Sequence, residues 1–316
     1  MTPVSTASMF ANTTLSINNG QSLLTQLTNE LNSNEVSQNL AGYGDQAGQL
    51  TALNSTAAKL TSYVNGATSV SNMLDQQNTA LGEVGTASQA ALTAIQNAVG
   101  QNDGTTLMQT LQAQLTNAAG ALNTQFNGQY LFSGGNVNTP PVANSDLSTL
   151  TTTASVTAAF QNGQAISSTQ LGGNTTVQTG VLASNVATPL YNALQQVAAF
   201  NAGPNGPLSG PLTQAQTTFL SGVEAQFTTA VNTANNATAD NGVVQSQVGD
   251  IQTNLKDQQT SINTTISDIT NQGGNLQANL SSQINLANSA LQLSAQAFQI
   301  LQGSSLLNLL SPPTTA

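Results

Sequence analysis

An apolar residue recurs at every seventh position over long stretches of this chain, and few features restrict a fold more. Val248, Leu255, Ile262, Ile269 and Leu276 follow one another without a miss, separated by Gln, Asn, Ser, Thr and Asp. A second strict series runs Leu286, Leu293, Ile300 and Leu307. A third, toward the N-terminus, runs Leu53, Leu60, Ala67, Leu74, Leu81, Ser88 and Ile95. A helix turns in 3.6 residues, so a repeat of seven keeps one narrow stripe facing a partner helix. The spacing predicts long packing helices toward both ends of the chain. With a different middle, it points to an elongated assembly protein.

The side chains between the stripes exclude several functions. Only 4% of the 316 residues are charged, against about 25% in an average globular protein. Lys59 and Lys256 are the only cations, Arg, His, Cys and Trp are absent, and the formal net charge is -10. Nucleic acid and anionic membranes are therefore excluded as electrostatic partners, because such binding needs clustered Lys and Arg. No imidazole or thiolate is present to act as base, nucleophile or soft metal ligand, and no guanidinium to clamp phosphate. Asp250 and Asp257 lie seven apart, which on a coiled-coil flank reads as a solvated face. The prediction is no catalytic residue, no metal site and no cofactor. A surface of Asn, Gln, Ser and Thr changes charge little above roughly pH 4, so tolerance of mildly acidic surroundings is expected. No apolar run approaches the ~20 residues that span a bilayer, so membrane insertion is not expected. Met1–Leu15 has neither the basic region nor the apolar core of a secretory signal.

Punctuation by glycine and proline divides the chain. A helix is predicted from the start to a break within Asn32–Gly48, with Ile17, Leu24 and Leu31 seven apart and Leu27 between. A long helix covers 49–98. A turn at Gly100–Gly104 leads to a helix with Leu107, Leu111, Leu115, Ala118, Leu122 and Phe126 on one face. Asn127-Gly128 and Gly134-Gly135 bracket a short strand over Gln129–Phe132. Residues 142–187, rich in Thr, Ser, Val and Gly, either form a small β-rich, surface-facing piece or stay partly disordered for want of large apolar residues. A short helix carries Leu190, Leu194 and Val197. Another long helix begins near Pro211, Gly273-Gly274 interrupts it, and a last helix runs from Leu276 to Leu310. The expected divisions are 1–48, 49–127, 128–210, 211–272 and 273–316.

The last helix is apolar on two rows, Ile284, Leu291 and Phe298 on one and Leu286, Leu293 and Ile300 on another. One packing stripe does not cover both, so copies of the chain are expected to cover the remainder. The candidate assembly interface is Leu24, Leu27, Leu31, Ile284, Leu291, Leu293, Phe298, Ile300, Leu301 and Leu307.

Three segments resemble the flagellin superfamily, which comprises filament flagellins and hook–filament junction proteins (hook-associated proteins of the third type). Ala80–Val84 through Gln89–Gln96 is similar to the helical run of flagellins. Phe126–Gly134, with Tyr130, Phe132 and Gly134, resembles the Tyr-x-Phe-x-Gly motif of junction proteins. Ala297–Leu307, with Gln302-Gly303 and Ser305-Leu306, resembles the shared C-terminal helix end in its junction-branch form. The resemblance spans about 1–135 and 210–310. It implies a mainly α fold with a small β-rich insert, an elongated rod of long antiparallel coiled-coil helices formed by both termini. It further implies self-association, other flagellar axial proteins as partners (hook-associated proteins and flagellin), an export chaperone, and an extracellular place on the flagellum reached without a cleavable signal peptide. A structural subunit at the hook–filament junction is the expectation, with a filament flagellin as the alternative and a surface adhesin as the third reading.

Overall fold

The computed structural model describes residues 6–310 apart from 34, 36, 38, 153, 154, 174 and 272–274, with side chains described from Phe10 to Ile300. The fold is mainly helical. Its helices are α1 (Thr6–Ser33), α2 (Ala47–Gln101), α3 (Leu107–Leu122), α4 (Leu147–Thr152), α5 (Ala183–Ala202), α6 (Gln214–Thr270) and α7 (Leu276–Leu310). A 3-10 segment, Leu40–Gln46, precedes α2. The interruption expected at Gly273-Gly274 lies outside the described residues. The chain divides into two compact units, one of residues 1–59 with 258–316 and the other of residues 60–257.

In the 60–257 unit the heptad reading has a direct physical counterpart. On α2, Ala67, Val70, Leu74, Gln77, Leu81, Val84, Ser88, Ala91, Ile95 and Ala98 alternate spacings of three and four, and every one is buried. On α6 the matching series is Leu220, Val223, Phe227, Ala230, Ala234, Asn241, Val248 and Leu255, with Val244 and Ile251 partly buried between them. The two helices run antiparallel. Gln245 Nε2 donates to Asp75 Oδ1 at 3.0 Å and Gln252 Nε2 to Thr68 Oγ1 at 2.6 Å, so one number rises as the other falls. Threonine is a modest helix former, yet these helices are rich in it. The hydroxyls of Thr68, Thr86 and Thr93 each donate to the carbonyl four residues back at 2.9 Å, so their polar groups are satisfied within the helix.

The main core gathers α2 from Ala80 to Ala98, the buried face of α3, most of α5 and α6 from Leu220 to Ala234. Phe200 of α5 and Phe219 of α6 stack with ring centroids 3.9 Å apart and planes at 7°. Strand is sparse. β1 (Gln125–Phe126) and β2 (Gln129–Tyr130) form a hairpin closed by Asn127 and Gly128, both at positive φ (51° and 79°). Asn-Gly is the pair that a two-residue primed turn requires. Residues 142–187 contain one other hairpin, β3 (Ser168–Gln170) with β4 (Thr176–Gln178), in the register Thr169 to Val177. Val142, Leu147, Leu150, Val156 and Ala159 are buried in the main core, while Leu171 and Val177 pack beside the α2–α6 seam with Ala67, Val70, Leu74 and Val248. Most of the large apolar residues of this segment are thus placed against the helices, while Ile166 stays exposed, and little is left to make a core of its own.

Candidate assembly interface

The terminal helices α1 and α7 pack on each other along a heptad seam. On α1 it runs Phe10, Thr13, Ile17, Gly20, Leu24, Leu27 and Leu31, with Leu27 buried and the others partly buried. On α7 it runs Leu280, Ile284, Ala287, Leu291, Ser294 and Phe298, with Leu280 and Ala287 buried. Leu27, Leu276, Leu280 and Ala287 form the center of this cluster, and Leu24, Leu31 and Ile284 pack against it. Phe10 meets Phe298 edge to face, with centroids 5.5 Å apart at 87°, a geometry that aromatic quadrupoles favour. With the low-numbered end of α1 at the high-numbered end of α7, the pair is antiparallel. At Gly20 the helices come close: a Cβ there would lie 3.1 Å from Leu291 Cγ. Leu291 is a knob and Gly20 is the floor of its hole.

The opposite face of α7 has no such partner among the described residues. Leu286, Leu293 and Ile300 are 67%, 67% and 71% exposed, and they lie seven apart on one stripe. Leu15 and Leu23 on α1 are 59% and 48% exposed. Covering a large aliphatic side chain is favourable by roughly 1.5–3 kcal/mol. Three such residues within four turns of helix are therefore a strong reason for association.

The predicted interface residues thus separate into two sets. Leu24, Leu27, Leu31, Ile284, Leu291 and Phe298 lie along the α1–α7 seam. Leu293 and Ile300 face outward. Leu301 and Leu307 have side chains outside the described residues. The sequence reading missed Phe10, Gly20, Leu280 and Ala287. The signal was available in the three-four spacing, but Gly20 and Ala287 are small and do not register as an apolar stripe.

A cavity of about 750 Å³ lies along α2, α3 and α6, lined by small and neutral residues including Gly82, Gly85, Ala90, Thr93 and Asn97. Its carboxylate is Asp103. The Thr105 hydroxyl and backbone N–H donate to it at 2.6 and 2.9 Å and hold its pKa below the ordinary value. This is the geometry of a turn, and it closes the link between α2 and α3. Among the described residues no group of three or more His, Cys, Asp or Glu is placed to hold a metal, and no helix is long and apolar enough to cross a membrane.

The motif around Phe132 is structural. Phe132 is fully buried in the main core, and its carbonyl accepts from the Ala183 N–H at 3.0 Å. Gly134 has φ +58°, and a Cβ there would lie 2.6 Å from Leu182 Cδ2 and 2.7 Å from the Ala165 carbonyl oxygen. Tyr130 closes the β1–β2 hairpin opposite Gln125.

An antiparallel helical seam in each unit, one made by the terminal helices, and short hairpins in the 60–257 unit define a class of long-helix proteins with paired ends. Residues 4–137, from α1 through the β1–β2 hairpin, match the family model for the bacterial flagellin N-terminal helical region. The resemblance to the flagellin superfamily read from the sequence is borne out over this region. No curated protein matches the chain in sequence. Among solved structures the chain is similar to a protein described as a flagellar hook-associated protein of Vibrio parahaemolyticus, with TM-score 0.56 and 13% identity over 74% of this chain and 99% of that one. It is also similar to FlgL of Bacillus cereus, with TM-score 0.51 and 13% identity over 69% of this chain and 98% of that one. At such identity what is shared is the fold.

Proposed function

We propose that this chain is a structural, non-enzymatic subunit of the bacterial flagellum, assembling through the outer face of its paired terminal helices. The observation that carries the reading is the exposed stripe Leu286, Leu293 and Ile300 on the back of a helix whose other face is already paired. A monomer gains nothing from such a stripe, and a helical polymer covers it. The match of residues 4–137 to the flagellin N-terminal region supports the same reading.

Within that class we place the chain at the hook–filament junction. The Tyr130, Phe132 and Gly134 motif and the likeness in fold to a flagellar hook-associated protein and to FlgL support this branch. A filament flagellin is the second reading, supported by the flagellin description of the N-terminal match. Its partners would be other axial proteins of the flagellum and copies of itself, delivered by an export chaperone to the outside of the cell.

Electron microscopy of the purified chain, with and without a precipitant, short filament seeds and isolated hooks, separates the readings. A junction subunit binds hook ends and stays short, and it loses that binding when the last thirty residues are removed. Long filaments formed by the chain alone would make it a filament subunit. Absence of both polymer and hook binding would refute the flagellar reading.

A further inference from the structure

Along the α2–α6 seam one level differs from the rest. Gln77 is 1% exposed, and neither amide atom has a hydrogen-bond partner; Asn241 is 3% exposed, and its Oδ1 has none. Asn241 Nδ2 donates to the Leu74 carbonyl at 2.9 Å and lies 3.5 Å from Asn78 Oδ1. Leu74 and Asn78 flank Gln77 on one helical turn, so the two amides share a level of the seam. The apolar core divides there. Ala80 to Ala98 and Leu220 to Ala234 belong to the main cluster, whereas Ala67, Val70, Leu74 and Val248 belong to a separate one. A cavity of about 450 Å³ opens at the same level, with Leu74, Asp240, Asn241 and Val244 in its wall. Gly242 follows Asn241 within α6, and a Cβ there would meet nothing within 4 Å, so no contact requires glycine.

We infer that this level is a built-in joint. The pair formed by α2 residues 60–74 and α6 residues 244–257 opens as a unit while residues 80–98 and 220–234 stay closed. A buried amide without a partner has lost its hydration without compensation, and opening restores it. The cavity, walled on its far side by Ile166, Thr179 and Leu182, leaves one flank of this level without packing atoms. Glycine in a helix interior lowers the resistance of α6 to bending or fraying at that point. Sub-global opening of this kind is how proteins separate one contiguous segment from a stable core.

Native-state hydrogen–deuterium exchange on the full chain tests the joint. Amides of 60–74 and 244–257 should exchange ahead of those in 80–98 and 220–234. Gly242→Ala should slow exchange in the first pair about fivefold. Gln77→Leu combined with Asn241→Leu should slow the first pair as well, because the unpartnered amides are gone. Should the double variant fail to fold, Gly242→Ala decides the question, since it introduces no contact. Equal protection on both sides of the level, or no slowing of the first pair by Gly242→Ala, overturns the inference.

Discussion

Single positions set the close approaches of this molecule. Gly134 is held at φ +58° against Leu182 and the Ala165 carbonyl. Gly134→Ala combines a left-handed strain with a collision against backbone, so a loss of about 1–3 kcal/mol in chemical denaturation is expected. Gly20→Leu should cost a similar ~1–3 kcal/mol, because a large side chain at 3.1 Å from Leu291 forces the terminal helices apart. Tyr191 makes the opposite case. Its ring is buried against Phe160, its hydroxyl has no partner, and burial raises the phenol pKa. A raised folded-state pKa gives stability that is present below the unfolded value near 10 and is lost as pH climbs toward the folded one. Melting temperature should therefore fall above about pH 10, and Tyr191→Phe should reduce that fall without destabilising the protein at neutral pH.

The helices show what a seven-residue pattern states and what it omits. The series Leu60, Ala67, Leu74, Leu81, Ser88 and Ile95 is buried throughout, as the spacing demands. The series Leu286, Leu293 and Ile300 is as regular in sequence and lies open. Periodicity identifies a stripe that needs a partner; it does not say whether the same chain supplies it. The seam that α7 does bury, through Leu280, Ala287 and Leu291, was less legible because α1 meets it with small residues such as Gly20. Residues 142–187 were harder still. Their Thr, Ser and Val suggest strand, yet among the described residues pairing is limited to two short hairpin strands and one isolated bridge, and most of their large apolar side chains pack into cores built with distant helices. Because Leu286, Leu293 and Ile300 are exposed, changing all three to Ser should leave monomer stability within about 0.5 kcal/mol per site. A larger drop in melting temperature would mean that the stripe is packed within the monomer.

At the scale of the molecule, the scarcity of charge has a calculable consequence. The chain has two Lys, no His and twelve carboxylates. Asp103, held below its ordinary pKa, contributes stability that is present above the unfolded value near 4 and is lost only as pH falls through the folded one. Circular-dichroism melts between pH 6 and 8 should therefore superimpose; a shift of several degrees in that window would show a titrating group that this account lacks. With few charges to steer or repel, association rests on apolar area and on neutral hydrogen-bonding side chains, and it should depend weakly on salt.

The most direct measurement is analytical sedimentation of the full chain and of Leu286→Ser/Leu293→Ser/Ile300→Ser side by side under precipitant-induced assembly, with electron microscopy of the pellets. The unaltered chain should sediment as ordered polymer or bound to added hook ends, while the triple variant stays a folded monomer. Ordered assembly by the triple variant at the same concentration would contradict this, because the face assigned to assembly would then be dispensable.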